Sequence, residues 1–152
     1  MDLRPELLPA AVPESRLREL CREIERIEGF LEGGERAAAE TAIAAFNEAT
    51  GHAYEAYDFL AYAGSRSVEE FALEAARPAH PRVPGITRDE LAEIVRRSRA
   101  GGPDQDYYLL LFETNVMCPG ASQLVHHPPA DLADASAERI ADLALAYRPV
   151  AL

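Results

Sequence analysis

Apolar residues in this chain recur at every third or fourth position and rarely alternate with polar ones. The clearest run ends at Gly33-Gly34 and consists of Leu17, Leu20, Ile24, Ile27 and Leu31. That spacing matches one face of an α-helix, and a glycine pair is a common helix end. Strands that cover a core on one side need a two-residue period, which is scarce along the whole sequence. The pattern therefore predicts an all-α fold.

Local signals mark where several helices begin. Ser67 and Glu70 form a capping box, in which each side chain accepts a hydrogen bond from the other residue's backbone N–H. Thr87 and Glu90 repeat this pattern in the second half of the chain. Asp104 is predicted to cap the next helix, because aspartate is among the preferred N-cap residues.

The chain is divided near its middle by three closely spaced prolines: Pro78, Pro81 and Pro84. No helix continues through that spacing, so the stretch is predicted to be an extended connector. We predict an N-terminal helical unit at 1–77, a connector at 78–85 and a second helical unit at 86–152. The last helix is predicted to end before Pro149. Both halves contain about four short helices and a capping box. We therefore keep a weak similarity between the two halves as an alternative.

The charge of the chain limits the kinds of partner it can bind. Its 152 residues carry a formal net charge of −11, and the basic residues are all arginine. This argues against nucleic-acid binding, because phosphates require a basic surface. It fits a basic protein partner, although acidity is also a common property of soluble proteins. No apolar run approaches the roughly 20 residues of a membrane span, and no secretory leader is recognisable, so we expect a cytoplasmic protein.

Few groups in the sequence suggest metal binding or catalysis. Cys21 and Cys118 lie far apart and are predicted to be buried thiols in a reducing compartment. Cys118, His126 and His127 lie within ten residues of one another but lack the ligand spacing typical of zinc sites. We therefore predict no metal ligands, no cofactor and no catalytic residues. A metal-dependent enzyme remains a minor alternative.

Tyrosine combines a large apolar area with a polar tip, so it suits both cores and interfaces. The tyrosines in question are Tyr54, Tyr57, Tyr62, Tyr107 and Tyr108. Most of them are predicted to fill the space between helices, with their hydroxyls at the rim. The alternative is that they anchor a partner protein.

The stretch from Phe112 to Pro128 reads as a helix end, a Pro119-Gly120 corner, one short helical turn and a second proline stop. It resembles the corner between the second and third helices of the small four-helix immunity proteins that bind and silence colicin- and pyocin-type nuclease toxins. The matching residue types are Phe112, Glu113, Pro119, Ser122, Leu124 and Pro128. Two features depart from the family pattern. Its aspartate after the serine is Gln123 here, and its paired tyrosines are His126 and His127.

The resemblance covers residues from about 83 to 148 and implies a four-helix, immunity-like bundle for the second unit. It implies non-catalytic inhibition, by contact with a basic nuclease toxin beside the toxin's active centre. The resemblance assigns the choice of toxin to Gln105, Asp106, Leu109 and Glu113. It assigns the binding energy that is common to the whole family to Ser122, Gln123, His126 and His127. The first four are spaced to share one side of a helix. The alternative function is an all-α interaction module, an adaptor or regulator of unrelated purpose.

Overall fold

A computed structural model describes residues 1–147 of the protein, which fold into eight α-helices, with short 3-10 segments and no strand in that range. The helices are α1 Glu14–Glu32, α2 Arg36–Thr50, α3 Ala56–Ala61, α4 Val68–Ala76, α5 Arg88–Arg99, α6 Gln105–Thr114, α7 Ala121–His126 and α8 Ala137–Ala146. The all-α prediction is confirmed. The end predicted before Pro149 lies outside the described residues. Within 1–147, none of the helices combines the length and apolarity that crossing a bilayer requires.

The chain divides into two compact helical units, each with its own apolar core. The first unit, Ala10–Ala79, contains α1 to α4. The second unit contains Met1–Pro9 and the chain from His80 onward, with α5 to α8. This division differs from the predicted 1–77, 78–85 and 86–152 mainly at the start of the chain. The first nine residues belong to the second unit, although they precede the first unit in sequence.

Aromatic rings fill the core of the first unit, where α1 packs mainly on α4. Phe59 lies 5.5 Å from Phe46 and 5.3 Å from Phe71 between ring centroids. Tyr54 adjoins these rings, and its hydroxyl donates a hydrogen bond to Glu74 Oε1 at 2.7 Å. Burial, together with that hydrogen bond to a carboxylate, raises the pKa of Tyr54. The core therefore combines ring packing with a satisfied polar group at its edge.

The other tyrosines show where the prediction of core packing holds. Tyr62, Tyr107 and Tyr108 are each less than a tenth exposed, as expected for residues between helices. Tyr57 on α3 is the exception among the five, because 74% of its surface is exposed.

The N-terminal segment is an integral part of the second unit. Leu3 and Leu7 are 7% and 0% exposed and lie in its core. Between them, Arg4 donates two hydrogen bonds to the Glu90 carboxylate, at 2.7 and 3.1 Å. The Arg4 guanidinium and the hydrogen bonds from Thr87 hold the pKa of Glu90 below its usual value, although burial opposes the shift. A buried carboxylate thus ties the start of the chain to the first turn of α5.

The predicted helix starts were largely correct. Glu70 N–H donates to Ser67 Oγ and Glu90 N–H to Thr87 Oγ1, each at 3.1 Å, and the reciprocal bonds of both capping boxes are formed. Asp104 does occupy the N-cap position of α6, as predicted, although its side chain makes no capping hydrogen bond there.

Candidate functional site

The eight residues predicted to bind a partner lie in the segment Gln105–Pro128, hereafter the α6–α7 corner. On α6, Asp106 and Glu113 are exposed and Gln105 is half-buried. Leu109 is only 7% exposed, so the prediction that it shares this surface was wrong. The middle of α6 is covered while its ends are not, and a leucine side chain is stabilised by burial. The accessible part of the predicted α6 surface is therefore limited to its two ends.

The direction of the corner is set by Gly120 and Ala121. Gly120 has φ +64°, a left-handed conformation that side chains with a Cβ rarely adopt. Its carbonyl accepts a hydrogen bond from Gln123 N–H at 2.9 Å, which closes the first turn of α7. Ala121 is 0% exposed and lies in the core of the second unit. The backbone of α7 is therefore held at its first residue, and its polar side chains can project outward.

The side chains of α7 separate into a core side and an outer side. Leu124 and Val125 are partly buried against the core of the second unit. Gln123, His126 and His127 are exposed, with the two imidazole ring centroids 6.0 Å apart. The predicted α7 contact residues thus lie on an accessible surface.

One hydrogen bond joins the two helices of the corner. Ser122 Oγ on α7 donates to Glu113 Oε2 at the end of α6, with 3.1 Å between the oxygens. Glu113 is exposed and Ser122 is half-buried. The bond thus joins Glu113, predicted to select the toxin, to Ser122, predicted to supply binding energy common to the family. It also restricts the direction in which the Glu113 carboxylate points.

Asn115 anchors the end of α6, a role that the sequence did not indicate. Its Nδ2 donates to the carbonyls of Leu111 and Pro81, at 2.8 and 2.9 Å. Its Oδ1 accepts from Val83 N–H at 2.8 Å. The side chain therefore holds the proline-rich connector against the helix that carries Glu113. The partners lie 32 and 34 positions earlier in the chain, too far for any local motif to reveal.

The corner lies in a part of the chain without permanent positive charge. No arginine or lysine occurs between Arg99 and Arg139, whereas six carboxylates do: Asp104, Asp106, Glu113, Asp131, Asp134 and Glu138. The histidines are its only groups able to become cationic. Near neutral pH such a segment attracts a basic surface and repels an acidic one.

The groups considered for metal binding are not brought together in the part of the chain that the structure describes. In the range 1–147, no three histidine, cysteine, aspartate or glutamate side chains are grouped to hold a metal ion. Cys21 and Cys118 are free thiols, as predicted, but each is half-buried rather than fully buried. Partial burial raises the pKa of the Cys21 thiol.

No family model, no curated protein and no solved structure matches the chain. The resemblance to nuclease immunity proteins therefore depends on the residues of the α6–α7 corner alone.

Proposed function

We propose that this chain is an immunity-type protein that binds and neutralises a basic, nuclease-like bacterial toxin by non-catalytic contact through the α6–α7 corner. The observation that carries the proposal is the exposure of Glu113, Gln123 and His126 on a corner whose backbone is anchored in the core. A surface ordered before binding loses less entropy when a partner docks. Such a corner suits recognition of a macromolecule.

The charge of the corner supports a cationic partner. Asp106 and Glu113 are exposed carboxylates, and no arginine or lysine neutralises them from the same segment. Nucleases that act on nucleic acids present basic surfaces to phosphate. Opposite charge speeds the encounter of the two proteins and makes it dependent on salt. We expect association to weaken as the ionic strength rises.

The differences from the family pattern point to a particular kind of toxin surface. Gln123 supplies an amide where the family has a carboxylate, and His126 and His127 supply imidazoles where it has tyrosines. An amide and a neutral imidazole both donate and accept hydrogen bonds, so they can pair with polar as well as charged groups. We expect a partner surface with fewer cations and more neutral polar groups than the usual toxins of the family present.

The direct test is isothermal titration calorimetry of the full chain with nuclease domains of toxins encoded beside its gene, each inactivated at its catalytic centre. We expect a 1:1 complex at this corner that weakens about tenfold or more between low and moderate salt. Glu113→Lys should weaken it strongly, because it places a cation against a basic partner. Glu6→Lys is the matched control, since Glu6 is an exposed carboxylate elsewhere in the same unit.

Two outcomes would redirect the proposal. Failure to bind any neighbouring toxin would count against an immunity role. If alanine at Glu113, His126 and His127 leaves every detected interaction unchanged, the chain is better described as an all-α interaction module that uses another surface.

A further inference from the structure

The two units repeat the same order of helices. Each begins with a longer helix, α1 or α5, that packs on the fourth helix of its unit. Each has a third helix of six residues, α3 or α7, directly after the second helix. The fourth helix begins at a serine N-cap in both, Ser67 or Ser136, whose side chain accepts from the backbone N–H three residues later. The units therefore share one order of helices and the packing of the first helix on the fourth.

The repeat extends to the buried positions of the fourth helix. Four, five and eight residues after Ser67 come Phe71, Ala72 and Ala75, which are 0%, 0% and 1% exposed. At the same distances after Ser136 come Ile140, Ala141 and Ala144, with the same three exposures. Two alanines at identical positions allow the same close helix packing in both cores. The second and third helices of each unit thus occupy equivalent places in the order of helices.

The place equivalent to the α6–α7 corner is occupied in the first unit by α2 and α3. A groove of about 540 Å³ lies between these helices, with Ile43, Ala44, Asn47, Glu55 and Tyr57 in its lining. Two large apolar side chains of α3 are exposed, Tyr57 at 74% and Leu60 at 53%. Exposed aromatic and aliphatic groups beside a groove are typical of protein-binding surfaces.

The charge of this α2–α3 groove region matches that of the α6–α7 corner. No arginine or lysine occurs between Arg36 and Arg66, whereas four carboxylates do: Glu40, Glu48, Glu55 and Asp58. At one end of the groove, Arg36 is paired with Glu40 at 3.4 Å. Over the whole first unit, Ala10–Ala79, 14 carboxylates against seven arginines give a net charge of −7. A basic partner is the electrostatic complement of this surface.

We propose that the α2–α3 groove is a second protein-binding surface, which takes an arginine- or lysine-rich segment carrying an apolar side chain against Tyr57 and Leu60. The chain then has two binding surfaces of related architecture and different chemistry, one with exposed apolar anchors and one with imidazoles and an amide. This inference does not depend on the identity of the partner at the α6–α7 corner. The residues substituted to test the α2–α3 groove differ from those substituted to test the α6–α7 corner.

The test uses the full chain and a synthetic amphipathic helical peptide of about 15 residues, with leucine on one face and arginine on the other. Amide resonances of the ¹⁵N-labelled protein are followed during titration. We expect saturable shifts at Ala44, Asn47 and Tyr57. The double substitution Tyr57→Ser and Leu60→Ser should weaken binding by about tenfold or more. Leu8→Ser is the matched control, since Leu8 is an exposed leucine of the second unit, and it should leave binding unchanged.

A second peptide separates the contributions of charge and apolar contact. Glutamine in place of its leucines should abolish the saturable shifts, because arginine alone gives only screened attraction. The proposal is overturned if the double variant binds as tightly as the unsubstituted protein. It is equally overturned if the shifts are spread over exposed carboxylates of both units, or if millimolar peptide gives no saturable shift in the groove. Binding retained in Glu113→Lys, with toxin binding lost, would establish that the two surfaces act separately.

Discussion

Ser122 Oγ and Glu113 Oε2 lie 3.1 Å apart across the α6–α7 corner, and this hydrogen bond fixes an exposed carboxylate beside the outer surface of α7. The bond joins residues that are nine positions apart on different helices. If the corner binds a basic partner, the position of that carboxylate before binding contributes to affinity.

The first prediction concerns that bond. Ser122→Ala should weaken partner binding about two- to tenfold, the range expected for loss of one hydrogen bond. Glu113→Gln should have a larger effect, because it also removes the charge. Calorimetry with the inactivated toxin domain measures both. Ser15→Ala, at an exposed serine in the first turn of α1, should leave affinity unchanged. Equal affinity for Ser122→Ala and the unsubstituted protein would mean that the bond has no part in recognition.

The second prediction concerns the two histidines of the corner. Replacing His126 and His127 with lysine should weaken binding strongly, because it places permanent positive charges against a basic partner. Replacing both with glutamine keeps hydrogen-bonding groups in place and adds no charge, so it should weaken binding much less. The affinity is measured by calorimetry with the inactivated toxin domain. Equal affinity of the lysine and glutamine variants would exclude both positions from the interface.

The third prediction concerns the anchor of α6. Asn115→Ala removes three hydrogen bonds and leaves Val83 N–H without its side-chain acceptor. We expect a loss of about 1–3 kcal/mol in the free energy of unfolding, because a partly buried polar group loses its partner. Urea unfolding of the full chain, followed by circular dichroism, measures this. The exposed Gln123→Ala should change the free energy by less than about 0.5 kcal/mol. Similar stabilities for the two variants would contradict the anchoring role.

The fourth prediction follows from the lowered pKa of Glu90. A carboxyl group whose pKa is lower in the folded than in the unfolded protein contributes stability above its ordinary value of 4.5, and that contribution disappears as the pH falls through its folded value. Glu90→Gln should therefore destabilise the protein at pH 7, with a difference that narrows as the pH falls below 4.5. Other carboxylates affect both proteins alike, so the difference isolates Glu90. A difference that stays constant with pH would show that the charge of Glu90 does not stabilise the fold.

Local sequence signals predicted the helices well because their causes are local. The boxes at Ser67–Glu70 and Thr87–Glu90 need only residues three positions apart, and both are formed. Leu109 shows the limit of such reasoning. Its spacing from Gln105 and Glu113 is correct for one helix face, yet its burial depends on what covers the middle of α6.

Features that depend on distant partners were missed. Leu3 and Leu7 have helical spacing, which gave a weak signal for burial, but the sequence offered no reason to place them in the core of the second unit. Arg4 and Glu90 are paired although they lie 86 positions apart in the sequence. Asn115 contacts connector residues up to 34 positions away. Long-range pairing of this kind has no periodicity in a single sequence. At the α6–α7 corner, the residues that the resemblance assigned to α7 include the exposed Gln123, His126 and His127, but the sequence did not indicate what holds them in place.

Hydrogen–deuterium exchange of the full chain, with and without the inactivated toxin domain, shows whether the partner binds at the α6–α7 corner. We expect slower exchange on binding in peptides covering Glu113–His127, and no such protection in Glu113→Lys. A stable complex in which that segment exchanges as it does in the free protein would mean that the partner is held somewhere else.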